Sequence, residues 1–202
     1  TADAGNLSIF GDRITIRGSF LTSEAGFGSS GAAGNIAIGG HSVTIEDGSF
    51  VTSDTLSDRP SGSISIDGED VIIAFSKVSS GASGIGGGDA GAVRITGGAL
   101  TIREDSLVTS ATSGDGHAGE VLIDMRRSVD MDFSTISSAS VGAGRMGRGG
   151  LVLIRTPELT LATRSAIATS TLGEGDAGTI DIAAGALRLR GGRAAVKIGC
   201  AS

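Results

Sequence analysis

Residues 33–55 read AGNIAIGGHSVTIEDGSFVTSDT, and this stretch decides the fold. Aliphatic residues alternate with polar or small ones in three short runs, at 36–38, 43–45 and 49–53. A period of two residues is typical of a β-strand with one buried face. Glycine, aspartate and serine stand between the runs, where tight turns need them. The stretch therefore predicts three short strands joined by turns.

The same phrase recurs along the chain. A glycine followed by two alternating aliphatic residues begins each copy, and successive glycines are 29, 28, 29, 28, 31 and 28 residues apart. Three strands in about 28 residues describe one triangular coil, which buries its inward side chains only by stacking on its neighbours. The seven anchoring glycines are Gly5, Gly34, Gly62, Gly91, Gly119, Gly150 and Gly178.

The repeat predicts an all-β fold, a right-handed parallel β-helix (solenoid) of about seven triangular coils of 28–31 residues. The right hand follows from the strong preference of parallel crossover connections. Residues 1–202 are predicted to form a single β-helix segment. Stacking at the strand spacing then aligns one inward aliphatic residue from each coil in a column. The first such column is predicted to hold Leu7, Ile36, Ile64, Val93, Val121, Val152 and Ile180.

The composition excludes several classes of protein. The chain has 35 glycines, six phenylalanines and no tryptophan or tyrosine, so aliphatic residues must form the core. The net charge of −6 comes from interspersed charges, which argues against a nucleic-acid surface. No apolar run approaches the ~18 residues of a membrane span. The single cysteine, Cys200, excludes a disulfide framework and a multi-cysteine metal site.

Two serine columns accompany the third strand of each coil. They share the parity of the inward aliphatic residue, so we expect them inside the coil near its corners, bonded to turn backbone. No histidine or acid recurs beside them to act as a base, which argues against nucleophilic catalysis. The first column is Ser19, Ser49, Ser76, Ser106, Ser134 and Ser165, and the second is Ser23, Ser53, Ser80, Ser110 and Ser138.

A hydroxyl ladder is predicted on the outward side of the third strand. It resembles the threonine rows of ice-binding proteins, but it is one column wide, and we expect an ordinary solvated strand face. The ladder holds Thr22, Thr52, Ser79, Thr109 and Ser137, and its neighbouring column holds Phe20, Phe50, Lys77, Leu107, Thr135 and Ala166.

Other candidate sites lie in the loops. Residues 84–89 resemble one calcium-binding nonapeptide, yet such proteins repeat the phrase in tandem, so we interpret the segment as a glycine-rich turn. His117 with Asp115 forms at most half of a metal or acid–base pair. The loop before each anchoring glycine varies in length, and any recognition is expected along that edge. Arg145, Met146 and Arg148 stand out in its longest copy.

No catalytic centre is predicted. A polysaccharide lyase or hydrolase on a β-helix needs clustered carboxylates or an arginine or lysine base on one face. The outward positions of the first strand, which include Arg94, show no such cluster. We therefore expect no catalytic, metal-binding or cofactor-binding residue and no cofactor, and the binding residues stay undefined. The outward positions are Ser8, Ala37, Ser65, Arg94, Leu122, Leu153 and Asp181.

The stretches 33–55 and 118–140, the second reading AGEVLIDMRRSVDMDFSTISSAS, resemble the repeats of filamentous haemagglutinin-like exoproteins of two-partner secretion systems. The resemblance covers essentially residues 4–190. It implies a β-helical shaft of a large secreted bacterial adhesin, located at the cell surface. It also implies an outer-membrane transporter as secretion partner, and contact with a host-cell or neighbouring-cell surface through protein or glycan. The family's N-terminal secretion domain has no counterpart here, so no secretion residue is carried over.

Two functions stay open from sequence. The first is a structural shaft segment, with any recognition on the loop edge or in regions outside this chain. The alternative is a β-helical carbohydrate-active domain that binds or cleaves polysaccharide. The chain starts close to its first strand and the seventh coil loses its pattern at 191–197, so we expect a fragment of a longer shaft. An uncapped solenoid exposes pairing edges, and we expect the isolated segment to associate end to end.

Overall fold

The fold is a parallel β-solenoid. The computed structural model describes residues 2–26, 28–83, 88–142 and 146–198, and within these ranges there is no helix. The strands are β1 Leu7–Phe10, β2 Arg13–Arg17, β3 Phe20–Thr22, β4 Ile36–Glu46, β5 Phe50–Thr52, β6 Ile64–Ala74, β7 Lys77–Ala82, β8 Val93–Thr112, β9 Glu120–Ser140, β10 Leu151–Ala162, β11 Ala166–Thr171, β12 Thr179–Arg190 and β13 Arg193–Ile198.

The strands stack in register, one coil on the next. On the first face, β1, β4, β6, β8, β9, β10 and β12 pair in that order, and every pairing is parallel. The predicted column from Leu7 to Ile180 is confirmed, because each member is paired with the next. Six pairings join seven rungs, so the stack makes about six turns and is consistent with the predicted right-handed β-helix.

The core consists of aliphatic columns inside the coils. In the interior coils these side chains are almost completely buried, as Ile64, Val71 and Val78 of one coil show at 0–1% exposure. Full burial of such a side chain contributes roughly 1.5–3 kcal/mol, which is why the coil needs no aromatic residue inside. No described residue covers the inward Leu187 and Leu189 of the last coil, which are 51% and 54% exposed.

The anchoring glycines are required by the close approach of successive coils. A Cβ atom on Gly34 would lie 2.3 Å from the carbonyl oxygen of Gly5, and one on Gly119 would lie 2.3 Å from that of Gly91. Backbone cannot yield to such contacts without separating the coils. Gly5, in the first coil, has nothing within 4 Å of the same position. Glycine therefore recurs for lack of space between rungs.

The second serine column links these glycines between coils, and its predicted inward position is confirmed. Ser23 Oγ donates to the carbonyl oxygen of Gly5 at 2.6 Å and accepts from the amide of Gly34 at 3.1 Å. Ser110 Oγ donates to Gly91 O at 2.7 Å and accepts from Gly119 N at 2.9 Å. Each hydroxyl thus satisfies a carbonyl at the start of its own coil, and these two also bond the amide that starts the next.

The first serine column lies at the corner between the second and third strands. Ser49 Oγ donates to Glu46 O at 2.6 Å and accepts from the amide of Ser19, one coil away, at 3.2 Å. The residue just before the serine often has a left-handed backbone, and glycine usually fills such a position. Phenylalanine stands there in two coils, since Phe75 and Phe133 each have φ of 47°.

Candidate interaction surface

The outward hydroxyl ladder is buried at three of its five positions, where the expectation of a solvated strand face is wrong; Thr22 is exposed and Ser137 half-buried. Thr52, Ser79 and Thr109 are only 5%, 3% and 6% exposed although they point away from the core. Ser79 and Thr109 line a depression beside the bulky Lys77 and Leu107, whereas Thr22 at the first coil is exposed. This concave surface removes the flat array that ice binding would need.

Two adjacent depressions make up a groove. One has a volume of about 270 Å³ and is lined by Phe50 and Phe75 together with Lys77 and Leu107. The other has a volume of about 250 Å³ and continues over Ser79 and Thr109 towards Asp54 and Val141. Lys77 and Leu107 line both depressions, which together are lined by residues of the second to fifth coils. The first depression is mostly apolar, and the second has hydroxyl and carboxylate groups beside apolar side chains in its lining.

Side-chain hydrogen bonds join hydroxyl groups of the ladder to neighbouring residues. Asp54 Oδ1 accepts from the amide of Gly81 at 2.7 Å and from Ser79 Oγ at 3.3 Å. One coil earlier, Thr52 Oγ1 donates to Glu24 Oε1 at 2.9 Å. The hydroxyls of Thr52 and Ser79 are therefore bonded to carboxylates, and the Thr109 hydroxyl is bonded to Ser137 Oγ at 2.9 Å.

Burial raises the pKa of the Asp54 carboxyl above its ordinary value of 3.8. The charge of Lys77 and the hydrogen bonds from Gly81 and Ser79 oppose this rise, while the negative charge of Glu24 adds to it. Desolvation disfavours the charged form of an acid and here outweighs the stabilising contacts. The ionised form of Asp54, at the edge of the groove, is therefore less favourable than that of an exposed aspartate.

The phenylalanines are on the surface. Phe10, Phe20, Phe50, Phe75 and Phe133 are 74%, 73%, 38%, 60% and 39% exposed, and they are all the phenylalanines that the structure describes. Four of them flank the corner between the second and third strands. A cluster of exposed aromatic side chains often marks an interaction site.

Ring contacts order this corner. The rings of Phe20 and Phe50 are stacked with centroids 5.2 Å apart and planes 6° from parallel. The guanidinium of Arg164 lies 5.3 Å from the centroid of the Phe133 ring, a cation–π distance. The left-handed backbone at Phe75 and Phe133 is uncommon for so bulky a residue, and such outliers cluster at functional sites. The sequence signal that marks this surface is that no phenylalanine occupies an inward position of the repeat.

The structure does not bring His117 and Arg94, the other residues singled out from the sequence, into a common site. His117 Nδ1 accepts from the amide of Arg148 at 3.2 Å, and the His117 amide donates to Asp89 Oδ1 at 2.7 Å, so this histidine ties loops together. Arg94 pairs with Glu120 at 3.8 Å on the first face. Among the described residues, no group of three or more histidine, cysteine, aspartate or glutamate side chains could hold a metal ion.

The loop candidates are partly described. Met146 is 73% exposed, and the Arg148 guanidinium lies 3.8 Å from the Asp176 carboxylate. Arg145 and residues 84–87 of the calcium-like phrase lie outside the described residues. No long apolar helix suited to crossing a bilayer occurs in the described part of the chain.

An exposed ion network that the repeat did not predict spans three coils. The Glu69 side chain crosses above Gly98 of the next coil and pairs with Arg126 and Arg127 of the coil after it. Arg127 also pairs with Asp70. The hydrogen bond from Arg126 lowers the pKa of Glu69. The network is solvent-accessible, and its two carboxylates balance the charge of its two guanidinium groups. We therefore assign it to contacts between coils.

Comparison of the chain with protein-family models, with curated proteins and with solved structures finds no match.

Proposed function

We propose that this chain is a structural shaft segment of a large secreted bacterial surface adhesin of the two-partner secretion type. One observation carries the proposal: the residues that define the repeat serve contacts between coils. The aliphatic columns are buried, the anchoring glycines allow close approach, and the serines bond the backbone of adjacent coils. A sequence whose repeated positions all serve stacking is suited to form a long, stiff rod.

Stacking of this kind builds a rod whose length grows with the number of coils. In the backbone pairing each coil bonds only to its neighbours, so coils are added without rearranging the rest. A rise of about 4.8 Å per coil makes the distance between first and seventh rungs about 29 Å. Such a rod carries a recognition element away from a cell surface.

The partners follow from the sequence resemblance. An outer-membrane transporter is proposed to export the protein, and a host-cell or neighbouring-cell surface is proposed as the target of the whole molecule. The proposed location is outside the cell or on its surface. The alternative of a polysaccharide-cleaving domain has no support from His117 and Arg94, which bond to a loop amide and to Glu120 respectively.

Surface display in the bacterium tests this function. The gene that contains this segment is expressed in a bacterial host with or without an outer-membrane transporter gene of the two-partner type, and exposed protein is measured by antibody binding to whole cells. We expect display to be lost without the transporter, while deletion of an unrelated porin leaves it unchanged. Display that persists at the same level without the transporter would overturn the secretion route. Purified segment that cleaves polysaccharide, with the cleavage lost on His117→Ala, would overturn the shaft.

A further inference from the structure

The corner between the second and third strands has one residue in the first, third and fifth coils and two residues in the second, fourth and sixth. All of these residues have a left-handed backbone, with φ between 43° and 77°. Each one-residue corner is therefore followed, one coil later, by a two-residue corner. From the first coil to the sixth, the corner residues are Gly18; Asp47 and Gly48; Phe75; Glu104 and Asp105; Phe133; and Thr163 and Arg164.

Two of these pairs of corners have the same ring but opposite charges beside it. Phe75 and Phe133 both have φ of 47°, and the residue that ends the next corner is Asp105 after Phe75 and Arg164 after Phe133, with φ of 58° and 60°. The strand residues on both sides of the two pairs are also aligned in the same way from coil to coil. Asp105 therefore occupies, relative to Phe75, the position that Arg164 occupies relative to Phe133.

Arg164 shows that this position suits a cation. Its guanidinium lies 5.3 Å from the centroid of the Phe133 ring, within the range of a cation–π interaction. Phe133 is 39% exposed, whereas Phe75, which has no such cation against it among the described residues, is 60% exposed. This difference agrees with the guanidinium covering part of the Phe133 ring.

The equivalent place beside Phe75 is open and acidic. Phe75 and Asp105 both line the depression of about 270 Å³, which has room for a guanidinium group. Asp105 is exposed, and its carboxylate has no ion-pair partner in the described part of the chain. The neighbouring Glu104, in contrast, pairs with Arg103. An aromatic ring and an unpaired carboxylate thus lie together without a cation.

We propose that Phe75 and Asp105 bind an arginine side chain of a partner protein, with its guanidinium on the Phe75 ring and paired with the Asp105 carboxylate. The contact repeats that of Arg164 with Phe133, except that the partner supplies the cation. Arginine suits the site because its planar guanidinium stacks on a ring while its N–H groups donate to a carboxylate. The net charge of −6 on the chain also attracts a basic partner.

Lys77 is the charge that opposes this site. It lines the same depression, and it also lines the adjacent one, where its positive charge acts on the Asp54 carboxyl. Because like charges repel, Lys77→Met should strengthen the binding of arginine. Weaker binding in this variant would contradict the placement of the guanidinium. The site is a property of this segment and goes beyond the proposed shaft function, since neither secretion nor the length of the rod enters it.

Peptide titration followed by nuclear magnetic resonance tests the site. The probe is an acetylated and amidated tripeptide with arginine between two glycines, and its control has citrulline, a neutral analogue of similar shape. We expect the arginine peptide to shift the amide resonances of Ser76 and Asp105 and to leave that of Ser134 unchanged. The citrulline peptide should bind about 3- to 30-fold more weakly at the same ionic strength. Equal shifts at Ser76 and Ser134, or equal affinities of the two peptides, would overturn the proposal.

Exchange of the two corner residues supplies matched variants. Asp105→Arg places an internal guanidinium beside Phe75 and should abolish binding there, and Asp105→Asn, which removes only the charge, should weaken it. Arg164→Asp should open the equivalent place at Phe133 and add a shift at Ser134. Both exchanges introduce a side chain that the other corner already carries at nearly the same φ, and circular dichroism verifies the fold. Unchanged binding in Asp105→Arg, or no new shift in Arg164→Asp, would contradict the proposal.

Discussion

Replacing Gly119 by alanine tests why glycine recurs at the start of each coil. The new Cβ would lie 2.3 Å from Gly91 O, 2.6 Å from Ala90 O and 2.7 Å from Ser110 Oγ. Overpacking of this kind costs about 1–3 kcal/mol, and disturbance of the two Ser110 hydrogen bonds adds about 0.5–1.5 kcal/mol each. Lower entropy of the unfolded chain offsets about 0.4–1 kcal/mol of this loss. We expect Gly119→Ala to lower the free energy of unfolding by about 2–4 kcal/mol.

The matched control is Gly5→Ala, the same repeat position in the first coil. Nothing lies within 4 Å of a Cβ placed there. Only the entropy term remains, so we expect this variant to be neutral or more stable by up to about 1 kcal/mol. Both free energies are measured by urea unfolding followed by far-ultraviolet circular dichroism. Equal losses in the two variants, or an unchanged midpoint for Gly119→Ala, would refute the argument that coil approach requires glycine.

The other predictions concern the serine links, the groove acid and the open end. Ser110→Ala should cost about 1–3 kcal/mol in urea unfolding because it removes the partner of two partly buried backbone groups, Gly91 O and Gly119 N. Thr169→Val, which removes a buried hydroxyl without a hydrogen-bond partner among the described residues, should be neutral or stabilising. Because burial raises the pKa of Asp54, the charged form costs stability above the ordinary value of 3.8, so Asp54→Asn should gain stability relative to the parent protein as pH rises from about 4 to 7. A difference in urea midpoint that stays constant with pH would contradict this. We expect the segment to associate end to end in sedimentation, and Leu187→Glu with Leu189→Glu to suppress it by placing charge on exposed inward positions.

The stacking was predictable because it depends on residue parity and spacing alone. Once the repeat length is known, an inward residue such as Val121 must align with its equivalents in the coils before and after it. The inward position of Ser110 followed from the same parity. The reason for Gly119 did not, since only the structure places the Gly91 carbonyl oxygen 2.3 Å from the position of a Cβ on Gly119.

The interaction surface was largely hidden from sequence. The exposed fraction of an outward residue such as Ser79 depends on the size and position of the side chains around it. The alternation of inward and outward residues does not predict these. The sequence indicates a left-handed backbone where glycine occupies this corner. Nothing in the sequence near Phe75 or Phe133 predicts their positive φ. Their surface position could have been inferred from the absence of phenylalanine at every inward position.

The central claim, one continuous rigid rod, is tested most directly by a distance between its ends. Spin labels at Ser8→Cys and Asp181→Cys, in a Cys200→Ser background, occupy exposed positions of one outward column seven rungs long. Pulsed electron paramagnetic resonance at low protein concentration measures their separation. Six steps of about 4.8 Å predict a narrow distribution near 29 Å. A broad distribution, or one centred far from that value, would contradict the rod.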